Sequence, residues 1–245
     1  MSRTIPLVTL TSFCLLLFHA PVFADSPPES GFLSDYSRLE SPEVEWLDYI
    51  YTTDDFSQQI ASAEAIIIAQ PEIFLAPDSK YKGMKPDDMK VITESMRQLV
   101  VEAFADGYQI AISPGPNTVT ISMAFSNLHL KKKPRIRGVG WLPHVYLITS
   151  AKRSLLNEFT ENILLTELVW EAEITNSETG KVLGAILLKL GERKDKKAFT
   201  SWDELVVALS IASERFRCRF DNASLAESAR RDCLEITEAD IDFGE

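Results

Sequence analysis

The sequence predicts an α+β domain, a two-layer sandwich in which a mostly antiparallel sheet carries helices on one face. Three observations lead there. Leu168, Trp170, Ala172 and Ile174 alternate with Glu167, Glu171, Glu173 and Thr175, which is the period of a half-buried strand. After a polar turn containing Gly180, an apolar strand resumes from Val182 to Leu190, so the two make a hairpin. Met89, Ile92, Met96, Leu99, Val100 and Phe104 recur at helical spacing, and so do Leu205, Val206, Leu209, Ala212 and Phe216.

Residues 1–24 read as a secretory signal. Arg3 precedes an apolar run from Leu7 to Phe18, and Val22-Phe23-Ala24 offers small residues to a signal peptidase, with cleavage expected between Ala24 and Asp25. The run is shorter than the roughly 20 residues of a membrane helix. A retained anchor and a lipid on Cys14 are the alternatives. Against the lipid, Phe13 precedes Cys14 and Leu15, Leu16 and Leu17 follow it, whereas a lipid-accepting cysteine follows a small residue and ends the apolar run.

Residues 25–45 form a polar entry segment, a tether whose Phe32, Leu33, Tyr36 and Leu39 are expected to dock onto the domain. Residues 46–233 make a single α+β domain. Its first part, 46–63, is too irregular to assign. Ala65–Ala69 reads as a buried strand extended toward Ile73-Phe74-Leu75. Pro86, with Asp87 and Asp88 beside it, opens a helix over 86–105, because proline suits the first turn and acids suit the positive end. Asp106-Gly107 stops it. Tyr108–Ile112 is a strand. A second strand follows the turn at Ser113–Asn117: Val119, Ile121, Met123 and Phe125 alternate, and it runs on toward Leu130. Lys131–Gly138 is a basic loop, and residues 139–161 leave a helix open. Ser201 and Glu204 make a capping box for a helix over 201–220. A further helix is expected from Ser224 to Cys233, then an acidic tail over 234–245.

The chain has 245 residues, 45% of them hydrophobic, enough for a core. Its net charge is −11, and losing Arg3 with the signal makes the remainder one unit more negative. That balance disfavours nucleic acid and anionic lipid surfaces as partners. Beyond the signal no run is long and apolar enough to be a transmembrane segment.

Catalytic patterns are missing. No G-x-S-x-G elbow, P-loop or G-x-G-x-x-G occurs. His129 and His144 lack a cysteine or acid at metal-ligand spacing, so neither a metal nor a cofactor is expected. Glu167, Glu171 and Glu173 share a strand face and could present acids for proton transfer; a solvated sheet face explains them more simply. The strip Lys131–Arg137 fits a solvated hairpin tip or a contact with polyanions. Asn222-Ala223-Ser224 matches a glycosylation sequon, a short pattern that recurs by chance. Cys218 and Cys233 stay in the mature chain. Facing helices in an oxidising compartment would pair them in a disulfide; otherwise they are two buried thiols.

Ser30-Gly31-Phe32-Leu33-Ser34-Asp35-Tyr36-Ser37 with Leu39, the 86–105 helix, the block Glu171-Ala172-Glu173-Ile174-Thr175-Asn176-Ser177-Glu178-Thr179-Gly180 and Trp202 together resemble the bacterial family of domain of unknown function 3313. The resemblance spans nearly the whole mature chain. It implies an exported protein or lipoprotein and supplies no catalytic residues. The chain departs from lipoprotein members in having no cysteine at the cleavage site. The sequence thus predicts a periplasmic protein, with an outer-membrane lipoprotein as the alternative location. It is expected not to be an enzyme. The expected role is an interaction or assembly module for an unknown envelope protein; the alternative is a periplasmic small-ligand-binding domain.

Overall fold

Strand alternation and helical stripes locate most elements of the chain. The computed structural model describes residues 26–42, 46–79, 86–132, 163–191, 199 and 202–241. The expected cleavage site Ala24–Asp25, residues 133–138 of the basic loop, and the 139–161 region with His144 lie outside them. In chain order the elements are β1 (Tyr49–Thr52), α1 (Phe56–Ala61), β2 (Ala65–Ile68), β3 (Glu72–Leu75), α2 (Pro86–Ala105), β4 (Gln109–Ile110), β5 (Thr118–Lys132), β6 (Ile163–Asn176), β7 (Val182–Gly191) and α3 (Trp202–Ser224).

The strands form one open sheet in the order β1-β7-β6-β5-β2-β4, with β3 also beside β5. β1, β7, β6 and β5 each run antiparallel to the next in that order. β2 and β3 run parallel to β5, and β4 runs parallel to β2. The expected mostly antiparallel sheet is therefore mixed. The cause is the crossover through α2, which returns the chain in its original direction and so makes β4 parallel to β2. Pro71 splits the strand expected over 65–75, since it has no N–H to give a ladder. The two halves flank successive parts of β5: Ala65–Ile68 lies beside Thr118–Ile121, and Glu72–Leu75 beside Ala124–Leu128.

β5 contains a bulge. Val119, Ile121, Met123 and Phe125 are buried, but further along so are Leu128 and Leu130, of opposite parity. Asn127 absorbs the extra residue at φ 50°, a left-handed conformation that asparagine tolerates, and the register with β6 shifts there.

One core joins sheet and helices. Ile92, Met96, Val100 and Phe104 of α2 and Leu205, Leu209, Ala212 and Phe216 of α3 are buried against Trp170, Ala172 and Ile174 of β6. Trp170 stacks on Phe125 at 6.3 Å and meets Phe216 edge-on at 5.8 Å; Phe104 meets Phe216 and Phe220 edge-on at 5.7 and 5.4 Å. Burying each such ring contributes roughly 1.5–3 kcal/mol. At the β6–β7 hairpin the Asn176 side-chain carbonyl accepts from the N–H groups of Glu178 and Thr179, and Gly180 takes φ 68°, open to glycine without strain.

The helix expected from Ser224 to Cys233 does not form. α3 continues to Ser224, and a single 3-10 turn at Glu227–Ala229 precedes an irregular segment. Residues 225–233 offer no apolar stripe to stabilise a helix so short. The Asn222 side chain holds the segment instead: it accepts from the Arg231 N–H at 2.9 Å and donates to the Arg231 carbonyl at 2.8 Å. Among the described residues no helix is long and apolar enough to cross a membrane.

Candidate functional site

The core stripe of α3 continues toward the C-terminal end of the helix. Phe216, Arg219, Phe220 and Ala223 follow one another at helical spacing and form one wall of a cleft of about 750 Å³. β1, β6 and β7 supply the opposite side through Ile50, Ile174, Gly184 and Ile186, with Trp46 and Phe56 at the end. The third side is the C-terminal segment Arg230–Leu234.

Each wall has a local cause. Cys218 and Cys233 are disulfide-bonded, with Cα atoms 5.7 Å apart, and this bond pins the C-terminal segment against α3. Asp221 ties the same junction: it accepts from Arg217 Nε at 2.9 Å, from the Tyr108 hydroxyl at 3.0 Å and from Arg231 at 3.0 Å. Burial, then the Asp221 charge, pushes the Tyr108 hydroxyl up to about 12. Gly184 lets β1 and Phe56 approach β7. A Cβ there would stand 2.9 Å from the Tyr51 carbonyl oxygen and 3.3 Å from the Phe56 ring.

The cleft's lining is apolar and aromatic with a cationic bias. Arg219, Arg230 and Arg231 line it, against the single acid Asp232. Burial pushes the Arg219 guanidinium below its ordinary range.

The three glutamates of β6 do share the face away from the helices, but they are not equivalent. Glu171 is wholly buried. One of its oxygens accepts from the Ser126 hydroxyl, and the other accepts from the Tyr36 hydroxyl at 2.5 Å. Glu173 accepts from the backbone N–H of Ser34 at 3.0 Å and from its hydroxyl at 2.5 Å. The entry segment is therefore a strap across this face over residues 30–40. The Tyr36 hydroxyl oxygen gathers the N–H groups of Ser30, Phe32 and Leu33 at 3.1–3.2 Å, and Gly31 turns at φ 88° to allow it. Burial, then the bond to Glu171, raises the Tyr36 hydroxyl above its ordinary value. Glu40 then bridges Ile50 on β1 with two backbone hydrogen bonds, covering that sheet edge. Leu33 is buried, and Tyr36 and Leu39 pack over Tyr49, Val169 and Leu187. Glu171 and Glu173 are thus partners of the strap.

Glu167 meets His129 instead, 2.8 Å from Nε2, with Asp78 3.7 Å away. No group of three or more such side chains that could hold a metal occurs among the described residues. Asn222 of the sequon is engaged with Arg231 and lies in α3, so the motif carries no accessible acceptor loop. The sequence reading missed the cleft, whose residues run from Trp46 to Leu234. The one signal present was the recurrence of the α3 stripe beyond Phe216.

A family model described as a protein of unknown function (DUF3313) matches residues 28–216. No curated protein matches the chain. Solved structures similar to this chain include two of low identity. A Xanthomonas campestris protein of the DUF330 family model shares 14% identity, covering 63% of this chain and 80% of its own, with a TM-score of 0.28. A neuraminyllactose-binding hemagglutinin homolog from Helicobacter pylori shares 8% identity, covering 68% of this chain and 84% of its own, with a TM-score of 0.31. At these scores neither carries an argument about function.

Proposed function

The chain belongs to the DUF3313 family of unknown function, and from that premise we propose that it is a non-enzymatic periplasmic domain that holds a small apolar ligand in the cleft beside α3. In this reading the helices form one layer over the sheet and the cleft opens between the layers at the β1 end. The cleft itself carries the proposal. Its size falls within the few hundred to about 1,000 Å³ of small-molecule sites, and aromatic walls with a few polar groups are what such sites present. The disulfide supports an exported location, since such bonds persist in oxidising compartments.

The rival reading, a docking module for an envelope protein, would need an apolar patch or an open sheet edge. Among the described residues the large exposed apolar side chains are Ile112, Leu225 and Leu234; Glu40 bonds to Ile50 at the β1 edge, and β4 ends the sheet on the other side. The cleft is the more specific feature, so the ligand reading is preferred.

The test uses a neutral fluorescent probe, N-phenyl-1-naphthylamine, titrated into the full mature chain. Saturable binding to one site is expected, and Ala223→Trp, which fills the cleft, should weaken it at least tenfold without lowering the melting temperature. Non-saturable binding, or equal binding by a folded Ala223→Trp variant, would remove the proposal.

A further inference from the structure

We infer, on the reading that the cleft is a binding site, that its ligand is an amphiphilic anion whose carboxylate or phosphate head is received by Arg219 and whose apolar body lies against Phe216 and Phe220. The arginines of this region divide sharply. Arg217 donates to Asp221 and to the Ala103 carbonyl. Arg215 donates to the carbonyls of Leu234 and Ile236. Arg230 donates to the Leu225 carbonyl, and Arg231 to Asp221 and through it to α3. Arg219 is half-buried in the cleft wall and has neither a hydrogen-bond acceptor nor a carboxylate among the described residues.

A half-buried cation on an aromatic wall is costly unless something answers its charge. Arginine cannot escape by losing its proton, because its guanidinium stays charged across the physiological range. Burial depresses it here. Its planar fork matches carboxylate and phosphate oxygens in pairs. Phe216, Phe220 and Ala223 on the same helix face suit an apolar body beside that head. Asp232, the one acid lining the cleft, is exposed on the C-terminal segment. The net charge of −11 does not exclude an anion, because at physiological salt charges beyond about 8 Å are screened, while Arg219 acts locally.

The experiment is calorimetric titration of the full mature chain with decanoate, decyl phosphate, 1-decanol and inorganic phosphate, each below its aggregation limit. Wild-type protein should bind at least one of the two decyl anions tenfold or more tightly than 1-decanol, and should not bind inorganic phosphate. The preferred head, carboxylate or phosphate, then identifies the source of the ligand. Arg219→Met should abolish the preference for the anion over 1-decanol, and Arg219→Lys, which keeps the charge, should retain part of it. The inference is overturned if neither anion binds wild type more tightly than 1-decanol, or if a folded Arg219→Met variant keeps the preference. In both cases the cleft would stand as a binding site without the anion. If none of the four compounds binds, the cleft reading falls with it.

Discussion

Glu171 and Glu173 are two steps of one alternation in the sequence, yet the structure treats them differently. Glu171 is buried because Tyr36 and Ser126 satisfy both of its oxygens, while Glu173 meets only Ser34 at the surface. The alternation gave the face correctly but not what covers it, because the covering residues lie some 135 positions earlier in the chain. What was visible were two blocks of distinctive sequence, one around Tyr36 and one around Glu171; they are the two sides of one contact. The Tyr36 hydroxyl ties the strap to β6, so Tyr36→Phe should leave the backbone N–H groups of Ser30 and Leu33 and one Glu171 oxygen short of a partner, while the Phe32 N–H keeps the Ser30 hydroxyl. That variant should lose about 1–3 kcal/mol of stability in urea. Amide exchange should speed up at Ser30 and Leu33 in particular. Exchange unchanged at both positions would show that the strap is held by its apolar contacts instead.

At the level of elements, period and punctuation read well where one face is buried. Pro86 and Gly107 bracket α2, and the hairpin around Gly180 lies where its turn residues place it. Parity was an unused clue in β5: Phe125 and Leu130 cannot both face inward on a regular strand, and the bulge at Asn127 is the resolution. β1 and α1 were illegible because they are short and take their order from β7 and α3. The C-terminal segment went the other way. Its pairing through Cys218 and Cys233 needs no second helix, since the side chain of Asn222 and the bond itself fix the chain. A bond closing 15 residues contributes about 3 kcal/mol by chain entropy. Cys233→Ser should therefore lower the unfolding free energy by about 3 kcal/mol, and reductant should then have no further effect on the variant. An unlowered urea midpoint in Cys233→Ser would mean that Asn222 and Asp221 hold the segment unaided.

For the molecule as a whole, the mixture of helices and sheet was legible but the strand directions were not, because direction depends on which side the α2 crossover returns. The cleft was hidden for a related reason. Its walls come from β1, β6, β7, α3 and the C-terminal segment, and no local pattern joins Trp46 to Leu234. Only the stripe through Phe216, Arg219, Phe220 and Ala223 pointed there, and a charge on an apolar stripe gains meaning once its neighbours are known. The account rests on the claim that this cleft holds an apolar ligand. The most direct measurement is a backbone amide NMR titration of the full mature chain with N-phenyl-1-naphthylamine. Saturable shifts are expected at Gly184, Phe216, Phe220 and Ala223, with little change at Tyr36 and Glu171 on the opposite face. Shifts centred on the strap, or no saturable shifts at all, would contradict it.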